Sequence, residues 1–231
     1  MPKQFTSNED VTVRLFKSDA LEFFTHVHPA LPAAIFLPVA AYMLFLTTQT
    51  GLGGGVIWGM FAAGILAWTL IEYMVHRFLF HPSMETQERV REIVSSDPDK
   101  PVISRLESVS QKYYFLAHGV HHDFPSDSRR LVLAPTLSIP LSILFYFSYR
   151  ALMGPELVAP FFAAFLLGYV FYDTNHFLMH HVPPKTVFGR FLKKHHFRHH
   201  YKTANRNFGV TSPLWDIIFR TYDKPAKAKQ T

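Results

Sequence analysis

No cysteine occurs in the 231 residues, and charge is sparse, with Asp, Glu, Lys and Arg together making up 17%. The first absence excludes disulfides, zinc ribbons and thiolate-held clusters, and leaves histidine as the available borderline-soft metal ligand. It reveals no redox compartment. The second is low for a water-exposed domain of this length, while 48% of residues are hydrophobic and 16% aromatic. A bilayer accommodates that balance. The first residues also lack a basic segment, short apolar core and small-residue cleavage site in succession, so no signal peptide is expected. The net charge of +6 lies in the hydrophilic segments. Beside apolar runs it reads as positive-inside bias and contact with anionic lipid, and no nucleic-acid partner is expected.

Four stretches have the roughly 17 to 25 apolar residues a spanning helix needs: about residues 30–48, 56–75, 131–149 and 157–172. The Gly-rich run 51–55 and the Met153-Gly154-Pro155 link join them into two helical hairpins. Pro32, Pro38, Pro135, Pro140 and Pro160 fall in or near the spans, where neighbouring helices resatisfy freed carbonyls. Lys and Arg concentrate in the N-terminal segment, between Arg77 and Arg130, and after Lys185. That distribution predicts both termini and the central segment on the cytosolic side, in a bacterial inner membrane or an endoplasmic reticulum. The expected fold is all-α: an integral membrane protein with four transmembrane helices and a cytosolic helical cap. Residues 1–29 form an N-terminal cytosolic segment, 30–222 the membrane domain and 223–231 a basic tail near anionic headgroups. Residues 83–112 are polar, with Ser95-Ser96-Asp97-Pro98-Asp99 as a turn between two short helices.

What the chain has in excess is histidine, 14 in all. Ten fall into four groups at the cytosolic ends of spans two and four and in the segments that follow: His76/His81, His118/His121/His122, His176/His180 and His196/His199/His200. A His-x-x-His-His run is expected about 0.05 times by chance at this composition, and it occurs twice. On a helix, positions i, i+3 and i+4 share a face, so the three imidazoles of one run are expected to converge on a single point. His176 and His180 share a face likewise. His76 and His81 would diverge on a continuous helix, but Pro82 favours a chain leaving the helix there. Neutral imidazole is the commonest protein metal ligand and suits iron, zinc, copper and nickel. Ten ligands exceed one coordination sphere, so two metals are expected.

Around these ten, His181 and His195 each adjoin a candidate ligand and either bind metal or hydrogen-bond behind it. His26 and His28 lack motif spacing and are expected at the membrane interface, with Tyr201, Arg129 and Arg130 as anchors. Three carboxylates stand close by in sequence: Glu72, Asp123 and Asp173. Each either accepts the second N–H of a ligating imidazole or pairs with a nearby cation such as Arg77. The aromatic run of Phe161, Phe162, Phe165, Phe171 and Phe177 reads as packing or lipid contact. The hairpin duplication, each hairpin ending in a His pair followed by His-x-x-His-His, is the one internal repeat.

Four motifs carry a resemblance. They are Glu72-Tyr73-x-x-His76-Arg77-Phe78-x-Phe80-His81; His118-Gly119-x-His121-His122-Asp123-Phe124-Pro125; Tyr172-Asp173-x-x-His176-x-x-x-His180-His181; and His196-x-x-His199-His200-Tyr201-Lys202, followed by Phe208-Gly209-Val210-Thr211-Ser212-Pro213-Leu214-Trp215-Asp216. Over about residues 31–222 the chain resembles the fatty acid 2-hydroxylase branch of the fatty acid hydroxylase/sterol desaturase superfamily. The resemblance implies a dimetal centre held by the ten histidines, with no catalytic side chain beyond the ligands. It also implies two iron ions, replaceable by zinc on purification, and O2-dependent insertion of one oxygen at C2 of a fatty acyl chain, free or in a ceramide-type sphingolipid. Eukaryotic members carry a cytochrome b5-like domain before the first span. Here about thirty residues precede it, so electrons are expected from a separate cytochrome b5-like or ferredoxin-type protein. The segment 83–111 looks longer than the usual linker. The alternatives are a sterol or lipid desaturase using the same site, and a membrane metal-binding or transport protein, which would place its ligands at the bilayer midplane.

Overall fold

The computed structural model describes residues 5–97 and 99–223, so the basic tail after Asp223 and Pro98 of the expected turn lie outside the described residues. The elements are helices throughout: α1 Asp19–Phe23, α2 Leu31–Thr48, α3 Gly54–Met74, α4 Met84–Ser96, α5 Val109–Tyr114, α6 Val120–Asp123, α7 Pro135–His181, α8 Val187–Tyr201 and α9 Leu214–Ile218. A 3-10 turn covers Val102–Ser104, and π turns at Val75–Phe80 and Phe115–Gly119 extend α3 and α5. Among the described residues there is no strand.

Among the described residues three helices are long and apolar enough to cross a membrane: Leu31–Thr48, Gly54–Phe80 and Pro135–His181. The first two leave large apolar side chains exposed, among them Leu37, Tyr42 and Phe45 on α2 and Val56, Trp58 and Leu66 on α3. A helix with apolar groups on its outer face is built for lipid rather than water. The third is 47 residues long and breaks at Gly154, where φ is 83° and ψ 170°. Only glycine takes that conformation freely, and Pro155 follows it at once. The two legs fold back on each other: Tyr149 meets Phe161 at 4.6 Å between ring centroids, Tyr146 meets Phe162 at 5.3 Å and Phe145 meets Phe165 at 5.4 Å. The apolar stretches read at 131–149 and 157–172 are these legs, with shifted ends. Helix begins at Pro135, the favoured first-turn position for proline, and the second leg continues past Tyr172 to His181.

Among the described residues there are two large cores and a small third one of Met179, Leu192 and Val210. In the first, Phe36, Ala40 and Met43 of α2 pack against Val158, Phe162 and Leu166 of α7, with Trp68 of α3 wedged between Phe165 and Tyr169. Close approach is enforced at Gly64, where a Cβ would lie 2.1 Å from the carbonyl oxygen of Phe161. The second core, at the histidine end, gathers Leu15, Val90, Val94, Leu106, Phe115 and Phe124. The polar stretch 83–111 is therefore structural: α4 and α5 bury one face each around Leu15. Ser83 caps α4 by accepting from Thr86 N, and Ser108 and Gln111 form a capping box on α5. The N-terminal segment is strapped across this head, with the amides of Thr6 and Ser7 donating to the Asp123 carbonyl at 2.9 and 3.0 Å.

Candidate metal centre

The four histidine groups arrive at one place by two local devices. The first is the pair of π turns. Bonding of the i→i+5 type puts residues five apart on one face. Residues 75–80 adopt it, so His76 and His81 come together with ring centroids 5.0 Å apart. The chain also leaves the helix just before Pro82, as expected, with His81 already extended at φ −113° and ψ 92°, and the π turn ahead of it adds a rewinding that the spacing did not show. The second device is rotation of about 100° per helical residue. It separates His121 from His122 and His199 from His200, so neither His-x-x-His-His run converges on one point as expected. The i and i+4 members of each run face one site, and the i+3 member turns to the other.

Two groups of five result. His76, His81, His118, His122 and His199 form the first; His121, His176, His180, His196 and His200 form the second. Within each, one nitrogen per ring lies within 4.8 Å of all the others. All ten side chains are buried except His180, which is half-buried. The exchange is reciprocal, since the run on α6 lends His121 to the second group and the run on α8 lends His199 to the first.

The chemistry of these groups fits a cation. Burial first, and neighbouring imidazoles next, hold His81, His118, His121, His122, His196, His199 and His200 well below the ordinary value of 6.5. They are neutral near pH 7 and present lone pairs. His196 Nε2 lies 3.0 Å from Nε2 of each of His176, His180 and His200. One imidazole nitrogen makes a single hydrogen bond, so it cannot satisfy three such contacts. The first group has the same feature, with His118 Nε2 at 3.0 Å from Nε2 of both His76 and His122, and His199 Nε2 at 3.1 Å from that of His122. Such spacing suits nitrogens each about 2.1 Å from one shared ion.

Behind the first group lies a loop that sequence reading registered only as a signature. His76 Nδ1 is 2.5 Å from the Phe208 carbonyl oxygen and His199 Nδ1 2.7 Å from that of Arg206. Both rings donate to backbone, which fixes their tautomers. Two carboxylates hold the loop. Asp216 accepts from Phe208 N at 2.9 Å, Gly209 N at 2.8 Å, the Thr221 hydroxyl at 2.7 Å and His195 Nε2 at 3.1 Å. Burial acts to raise the Asp216 carboxyl, but the hydrogen bonds from His195, Thr221 and Gly209 prevail and hold it below the ordinary carboxylate value. Glu72 accepts from Val210 N at 2.6 Å, Thr211 N at 2.8 Å and the Thr211 hydroxyl. Gly209 admits no side chain, since a Cβ would lie 2.1 Å from the Ser212 carbonyl oxygen.

The remaining sequence candidates fall outside both five-histidine groups. His195 bonds Asp216 and stacks on Tyr222. His181 packs on Phe177, with ring centroids 4.3 Å apart. Asp123 takes Arg91 Nε at 3.2 Å and the Thr6 hydroxyl, and its burial, outweighing Arg91, raises its carboxyl to about 6. Asp173 is buried three residues before His176, with neither oxygen bonded to a histidine among the described residues. His26 contacts Arg130 and Glu22, and the Ala30 amide donates to His28, both ahead of α2. Arg130, expected as an interfacial anchor, is instead buried and bonded to Glu22 and the Val13 carbonyl. Arg129 is exposed, and Tyr201 donates to Asn8. Arg77 donates to the Tyr73 hydroxyl. Asp216 was missed because its partners lie up to 21 residues away in the chain.

The chain belongs to the fatty acid hydroxylase family, whose sequence model matches residues 61–221. Among its relatives, the dihydroceramide fatty acyl 2-hydroxylase FAH2 of Arabidopsis thaliana is 35% identical over 209 residues, 90% of this chain and 79% of that protein. The ceramide very long chain fatty acid hydroxylase SCS7 of Saccharomyces cerevisiae is 41% identical over 72% of this chain and 38% of its own length. The fatty acid 2-hydroxylase of Rattus norvegicus is 31% identical over 90% of this chain and 56% of its own. The solved structure of full-length scs7p, with only the hydroxylase domain visible, superposes with a TM-score of 0.74 at 37% identity. That match covers 91% of this chain and 72% of the solved one.

Proposed function

We propose that this protein is a membrane lipid hydroxylase that inserts one oxygen atom from O2 at C2 of a fatty acyl chain, free or within a ceramide-type sphingolipid. The observation that carries the reading is the pair of five-imidazole groups, each completed by one histidine lent from the other half of the chain. Names of the relatives, hydroxylases of fatty acyl chains and ceramides, favour the C2 position. Two iron ions would be held, one by His76, His81, His118, His122 and His199, the other by His121, His176, His180, His196 and His200. Iron so held supplies reductive activation of O2, with electrons from a separate cytochrome b5-like or ferredoxin-type protein. Imidazole also suits zinc, so protein purified without added iron is expected to carry zinc and to be inactive.

The chain's own contribution is placement. Burial of nine of the ten rings keeps water from the centre and the ligands neutral. His180 is the half-buried member, and we read its side of the second group as the approach for an acyl chain. The Phe208 and Arg206 carbonyls fix the rings of His76 and His199, and on the same loop Asp216 holds the Phe208 and Gly209 amides while Glu72 holds those of Val210 and Thr211. We read α2, α3 and the two legs of α7 as four spans, with the head and both termini on the cytosolic side, where Lys and Arg concentrate.

The test is to supply the iron-loaded full chain in lipid nanodiscs with acyl lipid, O2 and a reduced donor protein. The expected product carries one added oxygen at C2. A product lacking two hydrogens would establish a desaturase instead, and oxidation solely at another carbon would exclude the C2 assignment. Metal flux across proteoliposomes without lipid oxidation would establish a transporter.

A further inference from the structure

The two groups are alike in number but not in what stands behind them. In the first, His76 and His199 donate their second ring nitrogen to the Phe208 and Arg206 carbonyls, on a loop clamped by Glu72 and Asp216. In the second, the buried Nδ1 atoms of His176, His196 and His200 have no hydrogen-bond partner among the described residues. Asp173, the nearest carboxylate in sequence to His176, does not bond it. Neither nitrogen of His81 in the first group has a hydrogen-bond partner among the described residues, so the contrast is two anchored rings against none of those three. The second group also contains the one member that is not fully buried, His180.

An acceptor behind a ligating imidazole fixes its tautomer and orientation, and its loss typically costs about 10- to 100-fold in metal affinity. We propose that the two metal sites are inequivalent: the first holds its ion tightly, and the second is an exchangeable site that loads last and releases first. This rests on the two-metal reading above. It assigns Phe208 and Arg206, through their backbone carbonyls, and Asp216, through the loop, as positioning groups for the first site alone.

Zinc release from the full-length, zinc-loaded protein into excess chelator, followed by a colorimetric indicator, tests the proposal without reference to turnover. Two phases of one zinc each are expected, the faster at least about tenfold quicker. His180→Ala should abolish the fast phase and leave the slow rate unchanged, whereas His81→Ala should abolish or accelerate the slow phase and spare the fast one. Asp216→Asn, which keeps every ligand, should bring the slow rate toward the fast. It decides the question if either histidine variant fails to fold. Release of two zincs in a single phase, or a fast phase that survives His180→Ala, would overturn the inequivalence and leave the two-metal reading intact. A folded wild-type protein that takes up no zinc or iron would remove both.

Discussion

His122 and His200 stack face to face, with ring centroids 4.3 Å apart and 23° between their planes. Each is the last member of its His-x-x-His-His run, and each belongs to a different five-histidine group. The two sites therefore share a wall. Removing one ring of that wall opens a cavity against the other, and coupled neighbours do not respond independently. His122→Ala is expected to lower bound metal by more than one ion per chain, whereas His81→Ala lowers it by about one. Elemental analysis of purified variants distinguishes these outcomes, and equal losses would show that the groups behave separately.

Acid should destabilise the metal-free protein. Burial holds His118, His121, His122, His196, His199 and His200 well below 6.5 in the folded chain, while the unfolded chain titrates near that value. As pH falls through 6.5 the unfolded state takes up protons that the folded state refuses, so stability declines. Each such histidine contributes about 1.4 kcal/mol per pH unit until its folded value is reached. Thermal melting of chelator-treated protein should show a lower midpoint at pH 5.5 than at 7.5. Metal-loaded protein should show a smaller drop, because the ions compete with protons for the same lone pairs. A pH-independent melting temperature would contradict this.

Glu72→Ala is expected to loosen the first site although Glu72 touches no histidine. It leaves the Val210 and Thr211 amides unpaired in a buried loop, costing about 1 to 3 kcal/mol, and so loosens the loop whose Phe208 carbonyl orients His76. Glu72→Gln keeps an acceptor oxygen for those amides and should recover most of the loss. Metal affinity measured by competitive chelation should fall in the order wild type, Gln, Ala. An Ala variant with wild-type affinity would show that the loop holds without it.

Gly64→Val should disrupt the packing of α3 on the second leg of α7. Even the first added carbon would lie 2.1 Å from the Phe161 carbonyl oxygen, which belongs to a helix backbone and cannot swing aside. Overpacking in a core costs about 1–3 kcal/mol and occasionally more. A lower melting temperature and poor recovery from detergent are expected. Gly59→Val, in a position with nothing within 4 Å, is the control.

Much of the architecture was legible because lipid-facing helices and paired histidines leave strong local patterns. The apolar runs gave α2, α3 and both legs of α7, and Gly154-Pro155 marked the break between the legs. The four histidine groups do meet. What stayed hidden depends on rotation and on distant contacts. Whether His121 joins His122 or turns away is decided by a helical angle that identity and spacing leave open, and the π turn uniting His76 with His81 has no composition of its own. Polarity concealed that residues 83–111 carry half a core, because Val90 and Val94 of α4 count for little until Leu15, far back in the chain, is packed against them. Asp216 escaped for the same reason, its importance lying in four donors gathered from three separate parts of the chain.

The reciprocal lending of His121 and His199 also bears on how the polypeptide becomes one object. Residues up to Arg130 supply four members of the first group, and residues from Pro135 onward supply four of the second. Each half thus nearly completes a site and waits on a single ring from the other. An ion bound to either group would act as a rivet between the halves, and stripping both ions is expected to loosen the seam between them.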